Sequence, residues 1–283
     1  MSITSTADEA EAPRPLDPPR GFAKVAAQSA KRLFQKSIAI VGLVLLWELA
    51  PRLGFVDPLF LPPFSQVIAH GYALLISGKL LPHVIISVER SLGGFGLGVV
   101  TAVPLGMLLG WYSPFERYLN PLLQFLRQFN AISLLPVFIL FFGVGYFTKA
   151  MMIYWAVVWP ILLSTVSGVK YVDPILVKYG RSLLLPDWQI FTKIVAPSAI
   201  PSIFAGMRIA ATYSFLMLVA SEEVGAGSGL GFLVFNAQYL MGIHILYVAL
   251  LILALLGFAA NQALLLLERR LTTWRPEANG SAS

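Results

Sequence analysis

The sequence predicts an all-α membrane protein with six transmembrane helices, and three observations predict it. Hydrophobic residues make up 57% of the 283 and charged residues only 12%, with a mean hydropathy of +0.76; a soluble domain carries about 25% charged residues. The charge-free intervals are long: 91–115, 128–148, 150–169 and 224–267, the last with only His244 as a titratable group. A helix needs about 20 apolar residues to cross the hydrocarbon core. These intervals are also continuous, whereas a transmembrane barrel would show short alternating segments.

The elements follow in chain order. Residues 1–35, rich in Pro, Ala and acidic groups around Ala7–Pro13, read as a disordered N-terminal tail without the apolar core of a cleavable signal peptide. The membrane domain then occupies 36–272, followed by a C-terminal tail over 273–283. The first span is placed at 36–55, where Glu48 and Arg52 stand four apart in the favourable order for a helix pair and so both reach the interface. Residues 56–90, with Phe60-Leu-Pro-Pro, are too polar and proline-broken to span. The second span, 91–111, carries Gly94-x-x-x-Gly98 and Gly106-x-x-x-Gly110, spacings that let helices approach closely within the bundle or between two copies. The third and fourth spans are placed at 122–144 and 148–169. Pro104, Pro136 and Pro160 fall inside spans and read as packing kinks. The fifth span, 203–223, has thirteen charge-free residues between Arg208 and Glu222, so both ends must reach an interface. The sixth is placed at 244–267.

Basic residues set the orientation. With the N-terminus inside, Arg14, Arg20, Lys24, Lys31, Arg32, Lys36, Arg117, Lys170, Lys178, Arg181, Lys193, Arg208, Arg269, Arg270 and Arg275 face the cytoplasm, against Arg52, Lys79, Arg90 and Lys149 outside. Arg127 falls within the third span and does not vote. Both termini and the segment 170–202 are therefore expected inside. In that segment Asp173 and Pro174 start a helix that runs to residue 184. Pro186 stops it, Asp187 caps a second helix over Trp188–Val195, and Pro197 and Pro201 close that one. Gly180 in mid-helix costs about 1 kcal/mol against Ala, which implies that something approaches the backbone there. Physical reasoning leaves two uses open, docking of a soluble partner or anchoring at lipid headgroups.

The segment resembles the cytoplasmic loop of importer permeases in the ATP-binding cassette superfamily. That loop reads Glu-Ala-Ala, three residues, Gly, nine residues, Ile, any residue, Leu-Pro. Gly180, Ile194 and Pro197 match it; Lys178 stands in place of the Glu, Tyr179 of the first Ala, Leu184 of the Gly and Ala196 of the Leu. From Leu61-Pro-Pro-Phe-Ser-Gln-Val to residue 272 the chain is similar to the nitrate, sulfonate, taurine and bicarbonate branch of those permeases. Ser87-Val-Glu-Arg-Ser-Leu-Gly-Gly-Phe, Leu135-Pro-Val-Phe-Ile-Leu-Phe-Phe-Gly-Val-Gly, Gly168-Val-Lys-Tyr-Val-Asp-Pro, Arg181-Ser-Leu, Trp188-Gln-Ile-Phe, Gly206-Met-Arg and Gly229-Leu-Gly carry the likeness.

The resemblance implies the six-helix bundle of a type I importer permease in a bacterial inner membrane, paired with a second permease copy. It implies cytoplasmic ATPase subunits docked on a coupling loop containing Lys178, Tyr179, Gly180, Arg181, Ser182, Leu184, Ile194 and Pro197, with Trp188–Phe191 packed behind. An external solute-binding protein delivers the solute, a small oxyanion, and this chain binds no cofactor because the partners bind ATP.

The remaining candidates are few. Glu222 and Glu223 sit at the outer end of the fifth span; two carboxylates repel an anion unless paired, so Glu222 is expected to be structural or to gate. Arg127 is the candidate for guiding an anion, since guanidinium pairs well with oxyanions, with snorkelling to headgroups as the other use of such a side chain. Gly225–Phe232 lacks both the dinucleotide fingerprint and the Gly-Lys-Ser/Thr of a phosphate loop, so the chain is not its own ATPase and this stretch is an external turn. The absence of cysteine excludes disulfides and thiolate metal sites. His70, His83 and His244 lack metal-ligand spacing, and no catalytic grouping is evident, so the chain is expected not to be an enzyme. The net charge of +6 is spread beside the apolar runs, which is membrane topology rather than a nucleic-acid surface. A gradient-driven carrier would be expected to show inverted repeats and buried charge; no repeat is evident.

Overall fold

The computed structural model describes residues 38–272, so the predicted tails over 1–35 and 273–283 lie outside the described residues. All regular structure among the described residues is helical. Four helices are long and apolar enough to cross a membrane: α3 (Leu80–Trp111), α6 (Tyr146–Lys170), the continuous run Asp187–Glu223 and α11 (Ile243–Leu271). Shorter elements join them: α1 (38–52), α2 (Phe64–Ile76), α4 (Ser113–Leu126), α5 (Leu135–Phe142), α7 (Pro174–Ser182) and α10 (Leu230–Tyr239). The run Asp187–Glu223 comprises α8 (Asp187–Ile190), a π-helical turn (Phe191–Val195) and α9 (Ala196–Glu223).

The core is α6 clasped between α3 and α9, and small residues set the spacing. A Cβ added at Gly94, Gly98, Gly106 or Gly110 of α3 would lie 2.7, 2.5, 2.6 and 2.6 Å from Ile153 (and the Ala150 carbonyl), Val157, Thr165 and Val169 of α6. Both glycine pairs therefore pack within one chain. The register rises together along both helices, so α3 and α6 run parallel. On the other side, Gly168 meets Ser202 and Gly206 meets Ser164, so α9 runs antiparallel to α6. Arg208 of α9 pairs with Glu268 of α11, while Phe215 lies beside Gly257, so α11 is antiparallel to α9.

Because α3 and α6 are parallel, residues 112–145 must travel the full length back. They do so along α6: Glu116 bonds Lys170 at 2.9 Å, the Trp155 indole N–H donates to the Phe129 carbonyl at 3.1 Å, and the Thr148 hydroxyl donates to the Gly143 carbonyl. This corrects the single span expected at 122–144. The passage begins at Ser113 and is broken between α4 and α5. At the break the Asn130 side chain accepts the Ile132 N–H at 3.0 Å, a local turn that competes with the helix, and Pro136 has no N–H to carry a helix across.

α1 ends where α2 begins. The Trp47 indole donates to the Pro62 carbonyl at 3.1 Å. Glu48 pairs with Arg52, as expected, and also accepts the Ser65 backbone N–H at 2.9 Å, capping the first turn of α2.

Two further boundaries differ from expectation. The second span starts at Leu80 rather than 91, which places Arg90, expected outside, as the eleventh residue of α3. The helix at 187 does not close at Pro197 and Pro201 but runs on to Glu223. A proline lacks an N–H and its ring clashes with the carbonyl four residues back; the π-helical turn directly before Pro197 shifts that carbonyl's register.

Candidate functional site

Two places on the bundle concentrate chemistry, one at the Leu80 end and one at the Trp111 end. At the Leu80 end, Glu222 in the last turn of α9 is fully buried. Its Oε1 accepts from the Ser87 hydroxyl and Arg90 Nη1, both at 2.8 Å. Its Oε2 accepts from the Gly231 N–H at 2.8 Å and a second leg of the Ser87 hydroxyl at 2.9 Å. Arg90, 7% exposed, also donates to the Ser228 carbonyl at 2.8 Å. The Leu230 N–H bonds the Ser87 hydroxyl oxygen and the Gly229 N–H bonds His83 Nδ1, at 2.7 and 3.1 Å. The turn after α9 is thereby strapped over the pair. Gly229 has φ of +123°, and a Cβ there would lie 2.3 Å from the Glu222 carboxyl carbon, so only glycine fits. The stretch 225–232 is the tight, closely packed turn the sequence suggested.

Lys149 joins this cluster from α6. The Tyr146 hydroxyl donates to the Glu89 carbonyl at 3.0 Å, which sets the first turn of α6 level with Arg90. Both Lys149 and Arg90 were expected to face the outside. Instead Lys149 is 4% exposed, and the register that sets Tyr146 against Gly93 and Ala150 against Gly94 puts it level with Arg90. Glu223 is exposed. One level deeper the Ser91 and Ser214 hydroxyls bond at 2.8 Å.

Sequence reasoning picked out Glu222 and missed Ser87, Arg90 and Lys149 as its company. The signal was an acid inside an apolar run; its partner Arg90 lies 132 positions away, beyond any local pattern. A buried ion pair is weak evidence for net stability, but the geometry fixes α3 against α9 and holds the turn shut.

Arg127 is the C-terminal cap of α4 and exposed. It sits at the break between α4 and α5, two residues from Phe129 at the level of Trp155. His70 and His244 stack with centroids 4.4 Å apart; among the described residues no three potential ligands gather for a metal.

At the Trp111 end, Asp173 accepts the Ile175 N–H at 2.8 Å and Pro174 opens α7, as expected. α7 ends in a Schellman closure: the Leu185 N–H bonds the Gly180 carbonyl and the Leu184 N–H bonds the Arg181 carbonyl. The residue between cap and closure takes the left-handed conformation, usually a glycine's. Here it is Leu184, at φ +55° and 91% exposed. The departure from the resembled loop, Leu for Gly, thus falls where a side chain is strained.

The approach at Gly180 comes from this chain: a Cβ there would lie 2.8 Å from Ile194 Cδ1 and 3.3 Å from Ile190 Cγ1. Lys178, Tyr179, Arg181, Ser182 and Leu184 form the exposed side of the segment, while Gly180, Ile194 and Pro197 belong to its packed or half-packed underside. Trp188, expected behind, is exposed, as are Tyr171 and Ile175, whereas Ile190 is buried and Phe191 packs on Trp111.

Comparison with known proteins bears on the family and the fold. Residues 102–273 match the family described as the inner membrane component of binding-protein-dependent transport systems. The chain is 34% identical over 236 residues to the SsuC permease protein of Escherichia coli (strain K12), named for aliphatic sulfonates transport, covering 83% of this chain and 90% of that one. It is 29% identical to the taurine transport system permease protein TauC of the same organism, covering 83% and 87%. Its fold matches a chain of the MetNI methionine ABC transporter in an inward-facing conformation, with a TM-score of 0.60 at 17% identity over 70% of this chain and 98% of that one. The chain belongs to the family of inner membrane components of binding-protein-dependent transport systems.

Proposed function

We propose that the chain is the translocation subunit of an ATP-driven importer for a small oxyanion, a sulfonate in the first place. Family membership supports transport, and the names of the relatives support the sulfonate class. The Leu80 end faces the outside and receives solute from a binding protein; the Trp111 end faces the cytoplasm with the Lys and Arg of residues 170–193 and 269–270. Two copies pair, and Arg127, exposed at mid-passage, lines the pathway between them. The chain itself breaks no bond.

The observation that carries the reading is the exposed face of α7 and its closure. Tyr171, Ile175, Tyr179, Leu184 and Trp188 are all exposed beside Lys178 and Arg181. Contiguous exposed apolar residues rimmed by polar groups mark a protein-binding surface, and their rigid backing on Ile190 and Ile194 lets a pull on α7 move α9 as one body. ATP-driven closure of the ATPase pair then shifts the bundle between outward- and inward-open states through contacts that differ between the two. A tagged chain carrying Leu184→Asp should reach the membrane folded but co-purify with much less ATPase than wild type. Unchanged ATPase recovery and uptake would show that α7 is not the docking surface.

A further inference from the structure

The charge cluster at the Leu80 end does not balance. Arg90 and Lys149 contribute two positive charges against the single negative charge of Glu222, all three at most 7% exposed. The Glu222 carboxylate is engaged by three donors, the Ser87 hydroxyl shared between both oxygens, Arg90 on Oε1 and the Gly231 N–H on Oε2. Lys149 forms no hydrogen bond or ion pair among the described residues. Beside it Arg90 Nε is fully buried without an acceptor, whereas the Lys149 ammonium keeps some accessible surface. A buried cation without a counter-charge is costly, and a polar group left so is retained where a ligand or a moving part supplies the missing partner.

Both orphans are cationic N–H donors. The partner they require is an anion with more than one acceptor oxygen, because one oxygen serves Arg90 and another Lys149. Sulfonate, nitrate and bicarbonate have that form. The turn 224–230 closes over Arg90 through the Ser228 carbonyl, and Gly225 and Gly229 within it both take positive φ.

We propose that Lys149 and Arg90 form an oxyanion-receiving site at the outer end of the pathway, with Glu222 holding Arg90 in place and the 224–230 turn covering it. The assignment rests on the importer reading above and deepens it from a family's transport role to named donors. Arg90 is held by Glu222 and Ser228 in either role, so Lys149 is the residue that distinguishes a site from a scaffold.

The test uses the complex purified with its ATPase in a maltoside detergent. Its unfolding midpoint is titrated with sodium methanesulfonate, nitrate or bicarbonate, with sodium gluconate holding ionic strength constant. Wild type and Lys149→Arg should show a saturable rise with at least one of the three. Lys149→Met should start at or above the wild-type midpoint, because an uncompensated charge is gone, and should show no rise; a charge-assisted bond of this kind makes the apparent affinity about tenfold or more weaker when lost.

Equal shifts in wild type and Lys149→Met, or no shift in either, overturn the site. So does a Lys149→Met midpoint well below wild type, which would make Lys149 a structural strut, or a shift produced only by added anionic phospholipid, which would assign the donors to a lipid headgroup. Failure of the importer reading shows separately, as wild-type protein that purifies without an ATPase.

Discussion

Replacing Glu222 by Leu removes an acceptor on which four hydrogen-bond contacts converge while leaving Arg90 inside the protein. Arg90 keeps only the Ser228 carbonyl, the Gly231 N–H loses its partner, and the buried charge of the cluster rises from one to two. Removing one member of a buried ion pair costs about 3–5 kcal/mol, and the orphaned Gly231 N–H adds about 1–3 kcal/mol. At roughly 2–4 °C per kcal/mol for a domain of this size, the unfolding midpoint should fall by on the order of 10 °C. The assay is thermal unfolding in mild detergent, read by the surviving monodisperse peak in size-exclusion chromatography. Arg90→Met combined with Glu222→Leu should recover much of the loss, since a buried pair replaced by apolar groups is often neutral. A single variant within about 2 °C of wild type, or a double variant worse than the sum of the singles, would refute the reasoning that the pair is buried and mutually compensating.

Other substitutions test the packing. Gly94→Val would put a Cβ 2.7 Å from the Ala150 carbonyl oxygen, where backbone must part; a cost of at least about 1–3 kcal/mol is expected from overpacking, seen as a lowered midpoint in the same assay. Gly180→Ala should be tolerated, because the nearest atom is the flexible end of Ile194, whereas Gly180→Glu should unseat α7 and abolish uptake with the protein still in the membrane. Leu184→Gly should leave stability within about 1 kcal/mol of wild type, since relief of left-handed strain and the added freedom of the unfolded chain are of similar size, while ATPase recovery falls with the loss of the exposed side chain.

The long apolar helices were legible because lipid imposes a composition that no local detail disguises. The ends were less so. A hydropathy reading stops at the first charge, so Arg90 looked like an interface residue and α3 was begun eleven residues late; only the distant Glu222 makes that charge tolerable inside. The third passage was mistaken for one helix because its break is made by an Asn turn within an otherwise apolar interval. Pro197 looked like a stop because nothing local announces the π-helical turn that accommodates it. Local signals fared best: the Asp173 cap, the Glu48–Arg52 pair and the close packing at the glycines all depend on neighbours a few positions away or on side-chain size alone. Lys149 was visible only as a lone charge between two apolar runs, and its burial beside Arg90 needed the parallel register of α3 and α6.

The central claim is that this chain moves solute only when a separate ATPase grips its Trp111 end. The most direct measurement is the subunit stoichiometry of the tagged protein purified from its native membrane in mild detergent, by native mass spectrometry. Two copies of the chain with two ATPase subunits are predicted. A chain that purifies alone and transports in liposomes without ATP would contradict the account.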